Sequence, residues 1–201
     1  MVLPFKAEGV IPAALLAFNS DFSIDEQNSR KHLSYMANID GLSAMTVNGH
    51  AAEVHACDFD EQRRILAFSA DEIGDKLPLI QGVYADGSHY AAKIAKMAQD
   101  EGASALLIFP PAPLSLGGGM RPEMIRQHFK MICDASDLPI IFFQYPHTGP
   151  LYTPFETMLS LFDEFPQIVA IKDWCHDGRL HERNIKTLHS LDRPVNVLTT
   201  H

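Results

Sequence analysis

The sequence is short of several residue types and patterns, and each shortage excludes something. Its 201 residues include three cysteines and one tryptophan. Cys57, Cys133 and Cys175 are too few and too scattered for a disulfide framework or a cysteine zinc site. A reducing cytoplasm is the expected compartment. Basic residues are scarce, with 16 Lys and Arg against 25 Asp and Glu and a formal net charge of -9. Such a balance argues against a general affinity for nucleic acid or for an anionic membrane. No apolar run reaches the roughly 18 residues that a membrane-spanning helix needs. The opening Met1-Val2-Leu3-Pro4-Phe5-Lys6 lacks a charged stretch followed by an apolar one, so no secretory signal is expected. A glycine-rich phosphate turn is also missing: the first apolar run is followed by Phe18-Asn19-Ser20-Asp21. Hydrophobic residues nevertheless make up 46% of the chain, enough to bury a core and to exclude disorder as its main state.

What the sequence does contain is alternation. Apolar runs at 10–16, 42–47, 78–83, 103–109, 139–145, 168–172 and 194–199 read as strands. Amphipathic stretches at 24–37, 60–73, 88–100, 122–135, 153–165 and 181–191 read as helices. Asp58 or Asp60 suits an N-cap, and Pro122 suits a first helical turn. Strands separated by helices pair in parallel through right-handed crossovers. The strands start about thirty residues apart, which fits both an open doubly wound sheet and a (β/α)8 barrel. Without a glycine fingerprint the barrel is favoured. The expected fold is therefore an α/β TIM barrel, a single catalytic domain over 1–201 holding about seven of the eight βα units. No residues are left for the last unit after Thr199, so the barrel is expected to be incomplete at its C-terminus, as a fragment or a natural truncation.

Functional residues of such barrels gather at the C-terminal ends of the strands. The candidates are Asn48-Gly49-His50-Ala51-Ala52-Glu53, Tyr84, the Gly117-Gly118-Gly119 loop, Phe143-Gln144-Tyr145-Pro146-His147 and Lys172-Asp173-Trp174. Lys172 is the most informative. It ends an apolar run and shares its parity with Ala170 and Ile168. If that face points into the barrel, desolvation lowers the lysine pKa and leaves a nucleophilic amine able to form a Schiff base. The plain alternative is a lysine that leaves a strand end into water. His50 and His55, like His176 and His181, are five apart rather than at the i, i+4 spacing of a helical zinc motif, so no metal is expected.

These residues together resemble the dihydrodipicolinate synthase / N-acetylneuraminate lyase superfamily of Schiff-base aldolases and lyases. Gly9-Val10-Ile11-Pro12 through Ile24-Asp25 looks like the opening of that family. Gly49-His50-Ala51-Ala52-Glu53 followed by Glu61-Gln62-Arg63-Arg64 looks like its Gly-Thr-Thr-Gly-Glu loop and the helix after it. Leu138 to Gly149 resembles the strand of its catalytic tyrosine, and Ile168-Val169-Ala170-Ile171-Lys172-Asp173 its Schiff-base lysine strand. The resemblance implies that Lys172 forms an imine with a pyruvate-like 2-keto acid, with no organic cofactor or metal. It implies that backbone N–H groups of His50 and Ala51 hold the keto acid carboxylate, with Gly49 allowing close approach. It also implies a homo-oligomer, a tetramer.

The departures are as informative. The position of the family tyrosine is Phe143, and the relay threonine falls at His50. Tyr145 lies two residues on and points to the same side of its strand. It either supplies the phenol from a shifted place or is an aromatic at the rim. His50 is either a proton carrier near neutral pH or a loop histidine without a role. The arginine that binds the second carboxylate in the synthase has no counterpart in Pro146-His147-Thr148. The expected activity is a Schiff-base aldolase or hydratase-aldolase other than dihydrodipicolinate synthase itself. The alternative is a non-catalytic relative.

Overall fold

Apolar segments of three to six residues with β-branched and aromatic side chains pair in chain order, because each is returned to the sheet by the helix that follows it. The computed structural model describes residues 2–193 and 195–200. Among these residues the strands are β1 (Met45–Val47), β2 (Leu79–Val83), β3 (Ala105–Ile108), β4 (Ile140–Gln144), β5 (Ile168–Asp173) and β6 (Asn196–Thr199). They form one parallel sheet in the order β1-β2-β3-β4-β5-β6. The helices are α1 (Glu26–Ala37), α2 (Phe59–Ile73), α3 (Ser88–Asp100), α4 (Pro122–Ala135), α5 (Phe155–Glu164) and α6 (Gly178–His189).

The expected count of about seven βα units is corrected here. The run at 10–16 is not a strand. It lies extended beside β1, joined by bridges Val10–Leu42 and Ala13–Thr46. Ser43 N donates to Val10 O, Thr46 N to Pro12 O, and Ala14 N to Thr46 O. Pro12 has no N–H, so a continuous ladder cannot form through it. Pro194, expected to open the last strand, lies outside the described residues, and β6 begins at Asn196. Helix starts follow their caps. Asp58 and Glu61 form a reciprocal capping box that starts α2 at Phe59. Asp177 accepts from the N–H groups of Arg179 and Leu180, so α6 begins three residues before the expected His181.

The sheet curls into a half-barrel with two separate apolar faces. Its outer face packs on the helices through residues such as Val83, Ile108, Phe142 and Ile171. Its inner face gathers Ala44, Ile80, Leu107, Ile141 and Ala170 with Ala7 of the N-terminal segment. Asn196 Nδ2 donates to Ala7 O at 3.0 Å and so links the last strand to that segment. A cleft of about 640 Å³ lies between them, lined among others by Ile11, Lys172 and Leu198. The register of β4 on β5 shifts after Ile140, which pairs with Ile168 while Ile141 pairs with Ala170. Ile168 therefore sits in the outer core and does not share the face of Lys172, contrary to simple alternation. Among the described residues, no helix is long and apolar enough to cross a membrane.

Candidate active site

Beyond the shifted register, β5 carries Ala170 and Lys172 onto the inner face. Lys172 is directly opposite Phe143 of β4, and its Nζ lies 4.3 Å from the centre of that ring. Among the described residues Lys172 makes no ion pair. Burial therefore acts on its charge without a carboxylate to offset it, and its pKa is held below the ordinary 10.5. A cavity of about 200 Å³ joins Lys172 to Gly49, His50, Ala51, Phe143 and Trp174. The structure thus brings Lys172, Phe143 and the loop after β1 together.

Tyr145 follows β4 and keeps the inner parity of Phe143, whose ring is 4.7 Å away. Its hydroxyl hydrogen-bonds His50 Nε2. The two residues between which the sequence could not choose are therefore one pair. Burial, and then Tyr84, raise the Tyr145 pKa, so the phenol keeps its proton at neutral pH and has it to donate to the imidazole. Burial, and then the charge of Lys172, lower the His50 pKa and keep the ring neutral. The ring of His50 packs edge-on to Phe109 at 4.4 Å between centroids.

His50–Ala52 is a single 3-10 turn whose first N–H groups have no acceptor within the turn. Gly49 has an ordinary φ of -92°. A Cβ there would only touch Thr46 at 3.7 Å and Ala13 at 4.0 Å, so glycine leaves room in the cavity but is not demanded by the backbone. Glu53 serves the loop through its backbone, accepting from Ala56 N and donating to His50 O. His147 is tied away from the lysine: its Nδ1 bonds Cys175 O at 3.0 Å.

The sequence placed Asn48 at the strand end and Gln62 in the helix after the loop, but gave no sign that the two, with Gln81, aim this loop. Asn48, at a left-handed φ of 52°, donates through Nδ2 to Gln62 O at 2.9 Å and to Gln81 Oε1 at 2.8 Å. All three side chains are buried. Gly82 of β2 makes the space, since a Cβ there would lie 2.1 Å from Asn48 O. Only a glycine at that position lets the turn after β1 press against β2. Behind Lys172, the fully buried Asp173 accepts from Cys175 N, His181 Nδ1 and Asn184 Nδ2, which pins the end of β5 to α6. Asp173, Cys175 and His181 bring ligand-type atoms within 4.8 Å of one another. The sequence did not show this juxtaposition, because strand, loop and helix each supply one member.

The sequence profile of the Dihydrodipicolinate synthetase family matches residues 6–193, nearly the whole chain. The chain belongs to the dihydrodipicolinate synthetase family. A 4-hydroxy-tetrahydrodipicolinate synthase of Methanopyrus kandleri is 30% identical over 184 residues, covering 90% of this chain and 59% of that protein. The synthase of Salinibacter ruber is 31% identical over 169 residues, 82% of this chain and 53% of its own length. The chain thus spans little more than half the length of these relatives. Among solved structures, the Clostridium difficile protein CdNal in complex with mannosamine superposes with a TM-score of 0.82 at 20% identity, over 98% of this chain and 71% of its own. Dihydrodipicolinate synthase from Aquifex aeolicus gives 0.80 at 22% identity, over 95% and 62%. These structural likenesses show the shared fold. The family is one of lyases, and the strand ends described above are where this member places Lys172, His50 and Tyr145.

Proposed function

We propose that this protein is a Schiff-base lyase, an aldolase or hydratase-aldolase, acting on a pyruvate-like 2-keto acid. The observation that carries the reading is Lys172, an amine without an ion-pair partner among the described residues, held against Phe143 in a cavity also lined by His50, which Tyr145 hydrogen-bonds. The amine attacks the ketone carbon, the carbinolamine loses water, and a protonated imine results. In the cleavage direction the C4 hydroxyl gives its proton to the Tyr145 oxygen as Tyr145 passes its own to His50 Nε2, the C3–C4 bond breaks, and its electron pair flows into the iminium. This releases an aldehyde and leaves an enamine. Protonation of the enamine carbon and hydrolysis of the imine return the keto acid and the free amine. Neutral His50 thus takes up the proton through Tyr145, and in the synthesis direction it returns the proton by the same path. The N–H groups at the start of the 50–52 turn receive the keto acid carboxylate. The imine is itself the electron sink, so the scheme needs no organic cofactor or metal.

Lys172→Ala is expected to abolish covalent trapping of pyruvate by borohydride, read by mass spectrometry, without unfolding the protein. An adduct retained in the variant would remove Lys172 from the mechanism. Failure of the folded wild-type chain to trap pyruvate would instead favour a non-catalytic relative, the reading suggested by Phe143 at the family's tyrosine position.

A further inference from the structure

Each of the first five strands hands a ring to one mouth: His50 after β1, Tyr84 after β2, Phe109 after β3, Phe143 and Tyr145 at the end of β4, and Trp174 after β5. The rings are in mutual contact. Phe109 and Phe143 have centroids 5.4 Å apart, Tyr145 and Trp174 5.7 Å, and Tyr84 and Phe109 6.0 Å. Phe109, Phe143 and Trp174 line the cavity at Lys172 together with His50. Among the described residues, Lys172 and His50 are its only titratable lining groups, and Thr46 and Thr200 its only hydroxyls.

We infer that the second carbonyl component of the reaction, beyond the keto acid, is an aryl aldehyde. This rests on the proposed imine chemistry and goes beyond it by naming the class of the other substrate. Once Lys172 is in the imine and the keto acid carboxylate lies on the 50–52 turn, the rest of the wall is three rings, Phe109, Phe143 and Trp174, with Ala13, Leu107 and the hydroxyls of Thr46 and Thr200, and it offers no charged group. A second carboxylate or an ammonium group would be desolvated there without a partner. A flat aromatic group stacks or meets edge to face with Phe109, Phe143 and Trp174. In the synthesis direction the enamine carbon attacks the aldehyde carbon. The C=O π pair moves to oxygen, which takes the Tyr145 proton, and water then releases the adduct from Lys172.

The test supplies the chain with pyruvate and either benzaldehyde or succinic semialdehyde, and measures the condensation products by mass spectrometry. The expected kcat/KM for benzaldehyde exceeds that for the carboxylate-bearing aldehyde by about tenfold or more. Trp174→Ala is expected to lower that ratio, and Trp174→Phe to keep it; a ratio is unaffected by the amount of folded protein. Equal rates, a preference for succinic semialdehyde, or pyruvate trapping with neither aldehyde condensed would overturn the aryl assignment and leave the imine reading standing. Absence of pyruvate trapping would remove both.

Discussion

Phe142 and Phe143 are neighbours on β4 and belong to opposite worlds. The Phe142 ring lies among the helices, stacked on Phe129 at 5.3 Å and edge-on to Phe162 at 5.9 Å. The Phe143 ring lies under the Lys172 ammonium and borders a cavity. Both are almost fully buried, so burial alone does not distinguish them. The outer face of the sheet is filled by apolar side chains whose neighbours come from helices, and its role is cohesion. The inner face is a floor of alanines and branched aliphatic side chains under an aromatic rim, with space left at the strand ends, and its proposed role is to surround a reacting molecule.

The comparison breaks most directly on stability. Phe142→Ala empties a closed site and is expected to cost about 3–5 kcal/mol in urea unfolding. Phe143→Ala should cost roughly half as much, since the ring already borders open space. An equal loss for the two would erase the distinction between the faces.

The outer layer also contains a buried histidine. His128 of α4 bonds Ser88 Oγ at 3.1 Å, and its Nε2 has no partner among the described residues. Burial lowers its pKa to about 4 from an ordinary 6.5. The folded state thus favours the neutral ring, and the stabilisation is complete above the unfolded value. It is lost as pH falls from about 6.5 towards 4, because the unfolded chain takes up the proton first. The loss is on the order of 3 kcal/mol. In urea unfolding from pH 7 to pH 4 the wild type should lose about that much more unfolding free energy than His128→Leu; parallel pH dependences would place the sensitivity elsewhere.

The inner rim is sharpened by Asn48→Ala. That variant leaves the Gln81 amide oxygen without its donor and removes the side-chain bond to the Gln62 carbonyl, at a cost of about 2 kcal/mol. It also loosens the turn carrying His50, so turnover should fall by more than keto-acid binding. If kcat were unchanged in a destabilised protein, the polar network would be purely structural.

The smallest effect expected is a pH shift. Phe143→Ala admits water around Lys172, and the midpoint of the pH profile for pyruvate imine formation should rise towards 10.5. A midpoint that stayed put would mean that other walls keep the amine dry.

Much of the outer face was legible in the sequence. Alternating apolar runs and amphipathic stretches place β2 to β5 and their helices within a few residues, because burial on helices imposes a local period. A cap at Asp58 or Asp60 was legible for the same local reason, and the structure uses Asp58. The run at 10–16 misled, because apolar composition does not report that Pro12 interrupts a ladder. The residues of the site were visible individually as polar groups at strand ends. Their partnership was not: His50 and Tyr145 are separated by 95 positions and meet only because β1 and β4 end at one mouth. The Asn48–Gln62–Gln81 network and the Gly82 gap gave no motif at all, since their spacing follows three-dimensional contact.

The sequence by itself therefore determined the alternation of strand and helix, the parallel sheet, the family and the lysine near the end of β5, all of which depend on local periodicity or on residues contiguous in the chain. Only the tertiary structure decided that the first apolar run lies along β1 without becoming a strand, that a register shift turns Ile168 outward while Lys172 points in, and that His50 and Tyr145 share a hydrogen bond. Those outcomes depend on which backbone groups find partners when distant segments meet, and hydrogen bonding across a curled sheet is a property no single segment carries.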